Sequence, residues 1–335
     1  MASLTDSWTL GPLHVPNRVM LAPLAGIGNW FVRLQAKRYG AGMAVSEMVS
    51  SHAIYHHNER TCRELLRIHP QERGGGPVSI QLFGEDPLVM RSAAARVAEV
   101  GADAIDLNMG CPVPKVCKTG AGAALLSDPD RAVAVARAAR EGSGLPVTVK
   151  LRSGRRLGET SGVELAHRLV EEAQVAAIAF HPRSAAVHHK GTPDYELVAR
   201  LVQTLPAPVI LTGGLSDAER VHDAFRATGA TAVMLARGSL GNPWLFERLL
   251  GGREREPTAE EVLAELDWVI ERAVEHLGDE RATRYLRKFY PWYVARLGLE
   301  KSDAKRLQES LQAAETLAQA RGLLAPERVL ATLLV

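Results

Sequence analysis

Short apolar segments alternate with amphipathic segments along the first three quarters of the chain. Eight of the apolar segments have the length and the aliphatic, β-branched composition of buried strands. They span residues 19–25, 43–48, 78–83, 104–109, 146–151, 175–180, 208–213 and 231–236. The segments between them carry Ala, Leu, Arg and Glu at helical spacing, as in DPDRAVAVARAAREG. Upstream of the first strand, WTLGPLHVPNRV is typical of a hairpin.

This alternation predicts an α/β fold with a parallel sheet, since strands that are apolar throughout are covered by helices on both faces. Eight such units match a (β/α)8 TIM barrel better than a doubly wound open sheet. The first unit also lacks the GxGxxG motif of dinucleotide-binding open sheets. The strand pattern stops near GGREREPTAEE (251–261), and helical segments follow. We therefore expect a catalytic barrel over residues 1–251 and a small all-α helical bundle over 252–335.

Composition and charge narrow the class of protein. The chain has 335 residues and a net charge of +2, which excludes a globally basic nucleic-acid binder but not a local basic patch. The N-terminal MASLTDSW lacks the pattern of a signal peptide, and no apolar run is long enough to span a bilayer. Three cysteines are too few for a disulfide framework. We expect a cytoplasmic protein without membrane association; the oligomeric state stays open, with a monomer expected.

A residue able to line a pocket lies at or just past the C-terminal end of every predicted strand. These residues are Pro23, Glu47, Gln81, Asn108, Lys150, His181, Thr212 and Arg237. In a closed parallel barrel those strand ends converge on one face, where barrel enzymes place their active sites. The sequence therefore predicts one pocket that gathers these side chains.

Two glycine-rich segments, LTGGL (211–215) and LARGSLGNP (235–243), follow the last two predicted strands. In such barrels these loops often bind phosphate through backbone N–H groups, although they can also be ordinary turns. Lys150 can reach the surface, form a Schiff base, or lie beside an electron-rich cofactor ring. With Gln81 and His181 on the same face, a flat heterocycle with polar edges fits well. Flavin mononucleotide (FMN) would combine such a ring with a phosphate.

The loop NMGCPVPKVCKTGAGAAL (108–125) contains two of the three cysteines, Cys111 and Cys117. A zinc site would need two further ligands that Cys62 does not supply, and a disulfide is disfavoured in the cytoplasm. Each thiol is then either a buried spacer or a catalytic group. Cys111 lies three residues beyond Asn108 at a strand end, so we expect it to face the pocket, with Cys117 in a flexible loop.

Histidines cluster at three places in the chain. They are His52, His56 and His57, then His188 and His189, and His181. None carries a motif such as HExxH, and carboxylates at matching spacing are missing. We expect no bound metal and interpret most of these residues as solvated loop histidines.

The stretch 281–306 holds eight Lys and Arg residues but only two acids, so it is a local basic segment. Arg281, Arg284 and Lys288 are spaced to share one helical face, with Arg287 and several aromatic residues between them. Two interpretations stay equally open: a solvated charged face over an aromatic core, or a surface that grips an RNA backbone.

Taken together, these motifs resemble the tRNA-dihydrouridine synthase family, particularly its bacterial, FMN-dependent members, over essentially the whole chain. The matching stretches are LAPLAG (21–26), SEMV (46–49), QLFG (81–84), DLNMGCPVPKV (106–116), GAGAALL (120–126), VKLRSG (149–154), ARGSLGNPWLF (236–246) and RKFYPWY (287–293). The resemblance implies a flavin barrel followed by a helical domain that binds tRNA. It also implies NADPH as electron donor, hydride transfer from FMN to uracil C6, and a proton from Cys111 to C5.

The same resemblance assigns residues to the cofactor and the substrate. FMN would contact Pro23, Leu24, Ala25, Gln81, Lys150, His181, Thr212, Gly213, Gly214, Ala236 and Arg237. Uracil would contact Asn108 and Arg183, and the tRNA backbone would contact Arg281, Arg284, Arg287 and Lys288.

Two segments depart from the family pattern: HPRSAAVHHKG replaces a segment that often begins HGRT, and TGG replaces NGD or NGG. These departures bear on the uracil contacts and on which uridine is reduced. Alternative functions are a dihydroorotate-dehydrogenase-like oxidoreductase acting on a free pyrimidine, a Schiff-base aldolase using Lys150, and a non-catalytic tRNA-binding protein.

Overall fold

The computed structural model describes residues 2–333. Within them, eight parallel strands close into a barrel in chain order, and the last strand pairs with the first. The strands are β3 (Val19–Leu21), β4 (Met43–Ser50), β5 (Val78–Phe83), β6 (Ala104–Met109), β7 (Val147–Arg152), β8 (Ala177–His181), β9 (Val209–Thr212) and β10 (Ala232–Leu235). An antiparallel hairpin, β1 (Trp8–Leu10) and β2 (Leu13–Val15), precedes them. The predicted (β/α)8 barrel is confirmed.

Helices connect successive strands of the barrel. They are α1 (Trp30–Arg38), α2 (Ser51–Tyr55), α3 (Pro87–Glu99), α4 (Pro114–Cys117), α5 (Pro129–Ser143), α6 (Ser161–Ala173), α7 (Tyr195–Thr204) and α8 (Ala218–Thr228). Helices α3 and α5 both begin at an Asp-Pro pair, in which the aspartate caps the first turn and proline supplies a preset helical φ. Each such cap stabilises its helix by roughly 1 kcal/mol. Local sequence therefore fixes where these helices begin.

The hairpin forms part of the core at one end of the barrel. Trp8, Leu10 and Val15 belong to one buried cluster with small and apolar residues of the strands, among them Ala104 and Met234. Within this cluster Trp8 also donates a hydrogen bond from Nε1 to the backbone carbonyl of Asn17 at 3.1 Å. Because this interior is apolar and filled, polar chemistry is confined to the part of the barrel nearer the C-terminal strand ends.

The chain divides into two compact units, Met1–Gly238 and Ser239–Val335. The second unit contains α9 (Trp244–Leu249), α10 (Ala259–Leu277), α11 (Asp279–Leu286), α12 (Tyr290–Val294), α13 (Lys301–Ala313), α14 (Leu317–Leu323) and α15 (Pro326–Leu333). The boundary precedes α9, whereas the sequence pattern placed it after residue 251. Gly241 explains the difference, because a β-carbon there would lie 2.7 Å from the backbone of Trp292. The segment before α9 thus already packs within the helical unit.

Helix α10 begins at a capping box in which Thr258 and Glu261 exchange side-chain and backbone hydrogen bonds. Glu261 also pairs with Arg253 and Arg255, at 2.6 and 2.7 Å, which ties the preceding linker to the helix. None of the helices within residues 2–333 combines the length and apolar character needed to cross a membrane.

Candidate active site

A buried carboxylate organises the polar wall formed by β5, β6 and β7. The parallel register places Gln81 beside Asp106, and Asp106 beside Thr148. Asp106 is fully buried, and its two oxygens accept hydrogen bonds from Gln81 Nε2 at 2.6 Å and Thr148 Oγ1 at 2.5 Å. Burial raises the pKa of Asp106 to about 6, against the opposing effects of these two hydrogen bonds and of Lys150. At neutral pH Asp106 is therefore mainly ionised, and its carboxylate accepts hydrogen bonds but donates none.

Asn108 connects this wall to the cysteine loop, residues 110–121. Its Nδ2 donates to Gln81 Oε1 at 3.0 Å, and its Oδ1 accepts from the backbone N–H groups of Cys111 at 2.9 Å and Gly110 at 3.3 Å. The structure therefore brings Gln81, Asn108 and Cys111 together, as the strand-end pattern predicted. The predicted contact from Asn108 to uracil would use the second N–H of Nδ2, which here approaches Met48 Sδ at 3.7 Å.

The thiol of Cys111 is partly exposed and is protonated at neutral pH. Burial raises its pKa, and this effect is larger than the lowering caused by a backbone hydrogen bond from Val113 and by the cations Arg152 and Lys150. A protonated thiol can donate a proton to a bound molecule.

The second thiol, Cys117, supports the cysteine loop. The sequence suggested a flexible loop here, but Cys117 ends the short helix α4, and its Sγ donates to the backbone carbonyl of Cys111 at 3.3 Å. That same carbonyl accepts from the N–H of Ala123 at 3.0 Å. Cys117 also lines a cleft of about 420 Å³, together with Lys118, Arg155 and other residues of three neighbouring loops.

Cations cluster around a neutral histidine at the C-terminal ends of β7 and β8. Desolvation and the neighbouring Arg152 lower the pKa of Lys150 to about 8. Desolvation is the largest of the effects that lower the pKa of His181 far below its usual range, and the cations Lys150, Arg152 and Arg183 add to it. The imidazole of His181 is therefore neutral. Arg183 can only donate, so the contact of its Nη1 with His181 Nε2 at 3.4 Å places the imidazole proton on Nδ1.

The glycine-rich turn after β9 is shaped by its close neighbours. A β-carbon on Gly213 would lie 2.3 Å from His181 Cδ2, and one on Gly214 would lie 2.6 Å from the hydroxyl of Tyr195. Both glycines have φ values in the left-handed region, +100° and +80°. Tyr195 also donates to the carbonyl of Gly213 at 3.1 Å. Only glycine fits this turn, which leaves its backbone close to His181.

The loop after β3 contains Pro23, Leu24 and Ala25 and is held by an irregularity in β4. The register of β4 shifts between Val45 and Met48, which is a β-bulge. Within this bulge Glu47 accepts a hydrogen bond from the N–H of Gly26 at 2.9 Å. The β3 loop and the β4 strand end are thereby fixed to each other.

Arg152 is a buried residue for which the sequence predicted no role. It is 3% exposed, and its guanidinium donates to the carbonyls of Gly110 at 2.9 Å, Ser184 at 3.1 Å and His188 at 2.6 Å. These bonds clamp the cysteine loop to the loop after β8. The sequence did carry a sign of this role, since VKLR places a second cation, Arg152, at the end of an apolar strand. The partners of Arg152 could not be read from the sequence, because they lie on other loops.

The remaining predicted residues occupy two places. Thr212 is buried at the end of β9, and Ala236 and Arg237 follow β10 in the first unit. Arg281, Arg284, Arg287 and Lys288 lie in the second unit. Helix α11 ends at Leu286, so the predicted helical face over 281–288 breaks before Lys288. Residues 2–333 contain no cluster of three or more His, Cys, Asp or Glu side chains that could hold a metal ion.

The basic residues of the second unit are engaged within that unit. Arg284 pairs with Glu280 at 3.0 Å, and the Lys288 ammonium lies 4.8 Å from the centre of the Tyr285 ring. Arg287 Nη2 donates to the carbonyl of Ala314 at 3.0 Å. Arg284 and Lys288 are exposed and Arg287 only partly so. Arg287 therefore supports the packing of the unit, while Arg284 and Lys288 present charge to solvent.

Comparison with known proteins supports the resemblance seen in the motifs. The model of the dihydrouridine synthase (Dus) family matches residues 20–329 of the chain. The chain is 35% identical to tRNA-dihydrouridine synthase B of Pseudomonas aeruginosa over 298 residues, which cover 86% of this chain and 87% of that protein. It is 31% identical to tRNA-dihydrouridine synthase B of Shewanella oneidensis over 319 residues, which cover 92% and 95% of the two chains.

Solved structures share the barrel fold. A structure of morphinone reductase superposes with a TM-score of 0.55 at 19% identity, covering 78% of this chain and 92% of that one. At such low identity the likeness extends to the fold only. The family model, in contrast, spans most of the sequence, and the motifs quoted from the barrel and from the helical unit fall within its match. The chain is therefore an enzyme of the dihydrouridine synthase family.

Proposed function

We propose that this enzyme reduces uridines in tRNA to 5,6-dihydrouridine, with FMN bound at the C-terminal ends of the barrel strands and NADPH as electron donor. The names of its relatives support the substrate class. The single observation that carries the chemistry is Cys111, a protonated thiol held by Asn108 at these strand ends, close enough to Lys150 for the two to interact electrostatically.

The residues around His181 suit a flavin phosphate ester. Desolvation is the largest of the effects that keep His181 and His189 neutral. The cations Lys150, Arg152 and Arg183 add to it at both histidines, and Arg237 adds to it at His189. The positive potential of these cations favours an anionic ligand there. The Gly213–Gly214 turn brings backbone close to His181 without side chains of its own. We propose that this turn, with Ala236 and Arg237, binds the phosphate, and that the flavin ring contacts Gln81, Lys150, His181, Thr212 and the β3 loop at Pro23, Leu24 and Ala25.

The chemistry supplied by bound, reduced FMN is transfer of a hydride to C6 of the uracil ring, with NADPH restoring the electrons. The Cys111 thiol then gives its proton to C5, and the resulting thiolate regains a proton from solvent. The net change is addition of one hydride and one proton across the C5–C6 double bond. A raised thiol pKa suits this role because it keeps the acid protonated before the reaction.

We further propose that the Lys150 ammonium stabilises negative charge on the reduced flavin, and that Arg183 holds the edge of the uracil. Reaching a uridine within folded tRNA requires extruding the base, so the helical unit would bind the RNA backbone through Arg281, Arg284 and Lys288. Such an enzyme would work as a monomer in the cytoplasm, where its tRNA substrates are found.

The test is to purify the protein, record its flavin absorbance, and incubate it with NADPH and unmodified tRNA transcripts. We expect a yellow protein and dihydrouridine detectable by mass spectrometry of the digested tRNA. A colourless protein that binds tRNA would instead support the non-catalytic alternative. A protein that oxidises dihydroorotate and leaves tRNA unchanged would support the free-pyrimidine alternative.

A further inference from the structure

A continuous chain of hydrogen bonds runs from the buried Asp106 to the backbone of Cys111. Asp106 accepts from Gln81 Nε2 at 2.6 Å, Gln81 Oε1 accepts from Asn108 Nδ2 at 3.0 Å, and Asn108 Oδ1 accepts from the Cys111 N–H at 2.9 Å. We infer that Asp106 is a positioning residue that fixes the orientation of both amides and, through them, the place of the Cys111 thiol.

The direction of this chain follows from its two ends. A carboxylate can only accept, so it must face the NH2 group of Gln81; a backbone N–H can only donate, so it must face the oxygen of Asn108. Each amide has one donor and one acceptor side, and both ends are satisfied with a single orientation of each amide. Rotating either amide by half a turn would oppose like groups at both of its contacts. The orientation of Asn108 is therefore set by Asp106 as well as by the cysteine loop.

Asn108 has no hydrogen-bonding capacity to spare in this arrangement. Its Nδ2 donates to Gln81 and approaches Met48 Sδ at 3.7 Å, while its Oδ1 accepts from two backbone N–H groups. Because each donor and acceptor position of the Asn108 amide is occupied, the side chain is a rigid support for the cysteine loop. Asp106 itself is 0% exposed, and its hydrogen bonds lead to the cysteine loop only by way of Gln81 and Asn108. Its charge also acts on Lys150, an effect that Asp106→Asn and Asp106→Leu both remove.

Thr148 provides the matched comparison. It donates to the other oxygen of Asp106 at 2.5 Å and lies on β7, outside the chain that leads to Cys111. If Asp106 acts by directing Gln81, removing the Thr148 hydroxyl leaves that direction intact. If the role of Asp106 is only to satisfy buried polar groups of the barrel, the loss of its bond from Gln81 and the loss of its bond from Thr148 should lower activity to a similar extent.

Two substitutions at Asp106 should differ in effect, because only one of them keeps an oxygen that can accept from Gln81. In Asp106→Asn the remaining oxygen can still accept from Gln81, while the new NH2 group donates to Thr148 Oγ1, which can accept. In Asp106→Leu nothing accepts from Gln81 Nε2, so the Gln81 amide keeps only its bond from Asn108 and is held at one end instead of two. The conservative variant should therefore preserve the chain and the apolar variant should break it.

The experiment measures two half-reactions separately in the flavin-loaded enzyme: flavin reduction by NADPH and flavin oxidation by tRNA. Both measurements rest on the proposed function. We expect Asp106→Leu to lower the rate of flavin oxidation by tRNA by about 100-fold, the size of effect produced by misplacing a reacting group. Flavin reduction by NADPH, which does not use Cys111, should fall far less. Asp106→Asn and Thr148→Val should stay close to wild type in both half-reactions.

A second readout keeps the inference testable even if the wild-type enzyme reduces no tRNA. In a Cys62→Ser, Cys117→Ser background, the rate of Cys111 alkylation by iodoacetamide reports the position and the accessibility of the Cys111 thiol. We expect Asp106→Leu to change this rate and Asp106→Asn to leave it unchanged. The inference is overturned if Asp106→Leu alters neither readout, if both half-reactions fall equally, or if Asp106→Asn or Thr148→Val behaves like Asp106→Leu.

Discussion

The barrel site and the basic segment of the helical unit are built in different ways. In the barrel, Gln81, Asn108 and Lys150 come from three strands far apart in sequence. The parallel register pairs Gln81 with Asp106 and Asn108 with Lys150, and a hydrogen bond joins Asn108 to Gln81. In the helical unit, Arg284 and Lys288 come from one short stretch, and each is satisfied by a neighbour within four residues. A site assembled by register across strands implies a defined function more strongly than a run of like charges does.

The largest expected effect is the loss of uridine reduction in Cys111→Ala. Removing a general acid costs about 10²- to 10⁴-fold in rate, while flavin binding should persist because the substitution removes only the thiol. Cys117→Ser is the matched control, since a hydroxyl can still donate to the Cys111 carbonyl, and we expect near wild-type activity. Turnover of tRNA uridines by purified variants measures both. Full activity of Cys111→Ala, or an inactive Cys117→Ser, would reverse the assignment of the two thiols.

The next effect concerns the turn beside His181. In Gly213→Ala the new methyl group would lie 2.3 Å from the imidazole, and φ is +100°, so both the ring and the turn must move. Strain of this kind costs about 1–3 kcal/mol. We expect weaker FMN binding in titrations of the apoprotein and a lower thermal midpoint. Gly144→Ala, at a left-handed helix end with open space around it, is the control for backbone strain alone; equal losses in FMN affinity would argue against a cofactor role for the turn.

A smaller effect should appear with pH. The pKa of Lys150 is lowered to about 8, so its ammonium is present below that pH and is lost as the pH rises through it. If the ammonium attracts the anionic cofactor, the affinity of the apoprotein for FMN should decline above about pH 8. Lys150→Arg stays charged throughout this range and should flatten the decline. An identical profile in the two proteins would show that another group titrates.

The smallest effect is expected in the helical unit. Reversing charge with Arg284→Glu and Lys288→Glu should weaken tRNA binding in a salt-dependent way, since each lost phosphate contact reduces the slope of log K against log salt by about 1. Arg200→Glu is the control, because Arg200 forms a comparable exposed pair with Glu196, at 3.2 Å, on a barrel helix. Unchanged affinity, or equal losses with Arg200→Glu, would make this segment an ordinary solvated face.

The sequence predicted the barrel and the strand-end residues because both depend on local periodicity. Apolar runs define strands, and a parallel barrel necessarily gathers their C-terminal ends. Cys111 was identified in the same way, from its distance to Asn108 at the end of β6.

The role of Asp106 could not be predicted, because it depends on which residues of β5 and β7 lie beside it. In the sequence Asp106 is a single acid within AIDLNM, and only the register reveals that both of its oxygens are satisfied. Arg152 is similar, since its three carbonyl partners belong to two other loops. The end of α11 at Leu286 was not predicted either, since the spacing of the charged residues continues past it while the turn over 287–289 ends the helix.

The most direct test of the role of Cys111 in tRNA reduction is a map of dihydrouridine across the tRNAs of a strain lacking this gene, complemented with wild type or with Cys111→Ala. We predict that dihydrouridine disappears from at least one tRNA position on deletion, returns with the wild-type enzyme, and does not return with Cys111→Ala. Restoration of dihydrouridine by Cys111→Ala, or a map unchanged by the deletion, would contradict this assignment.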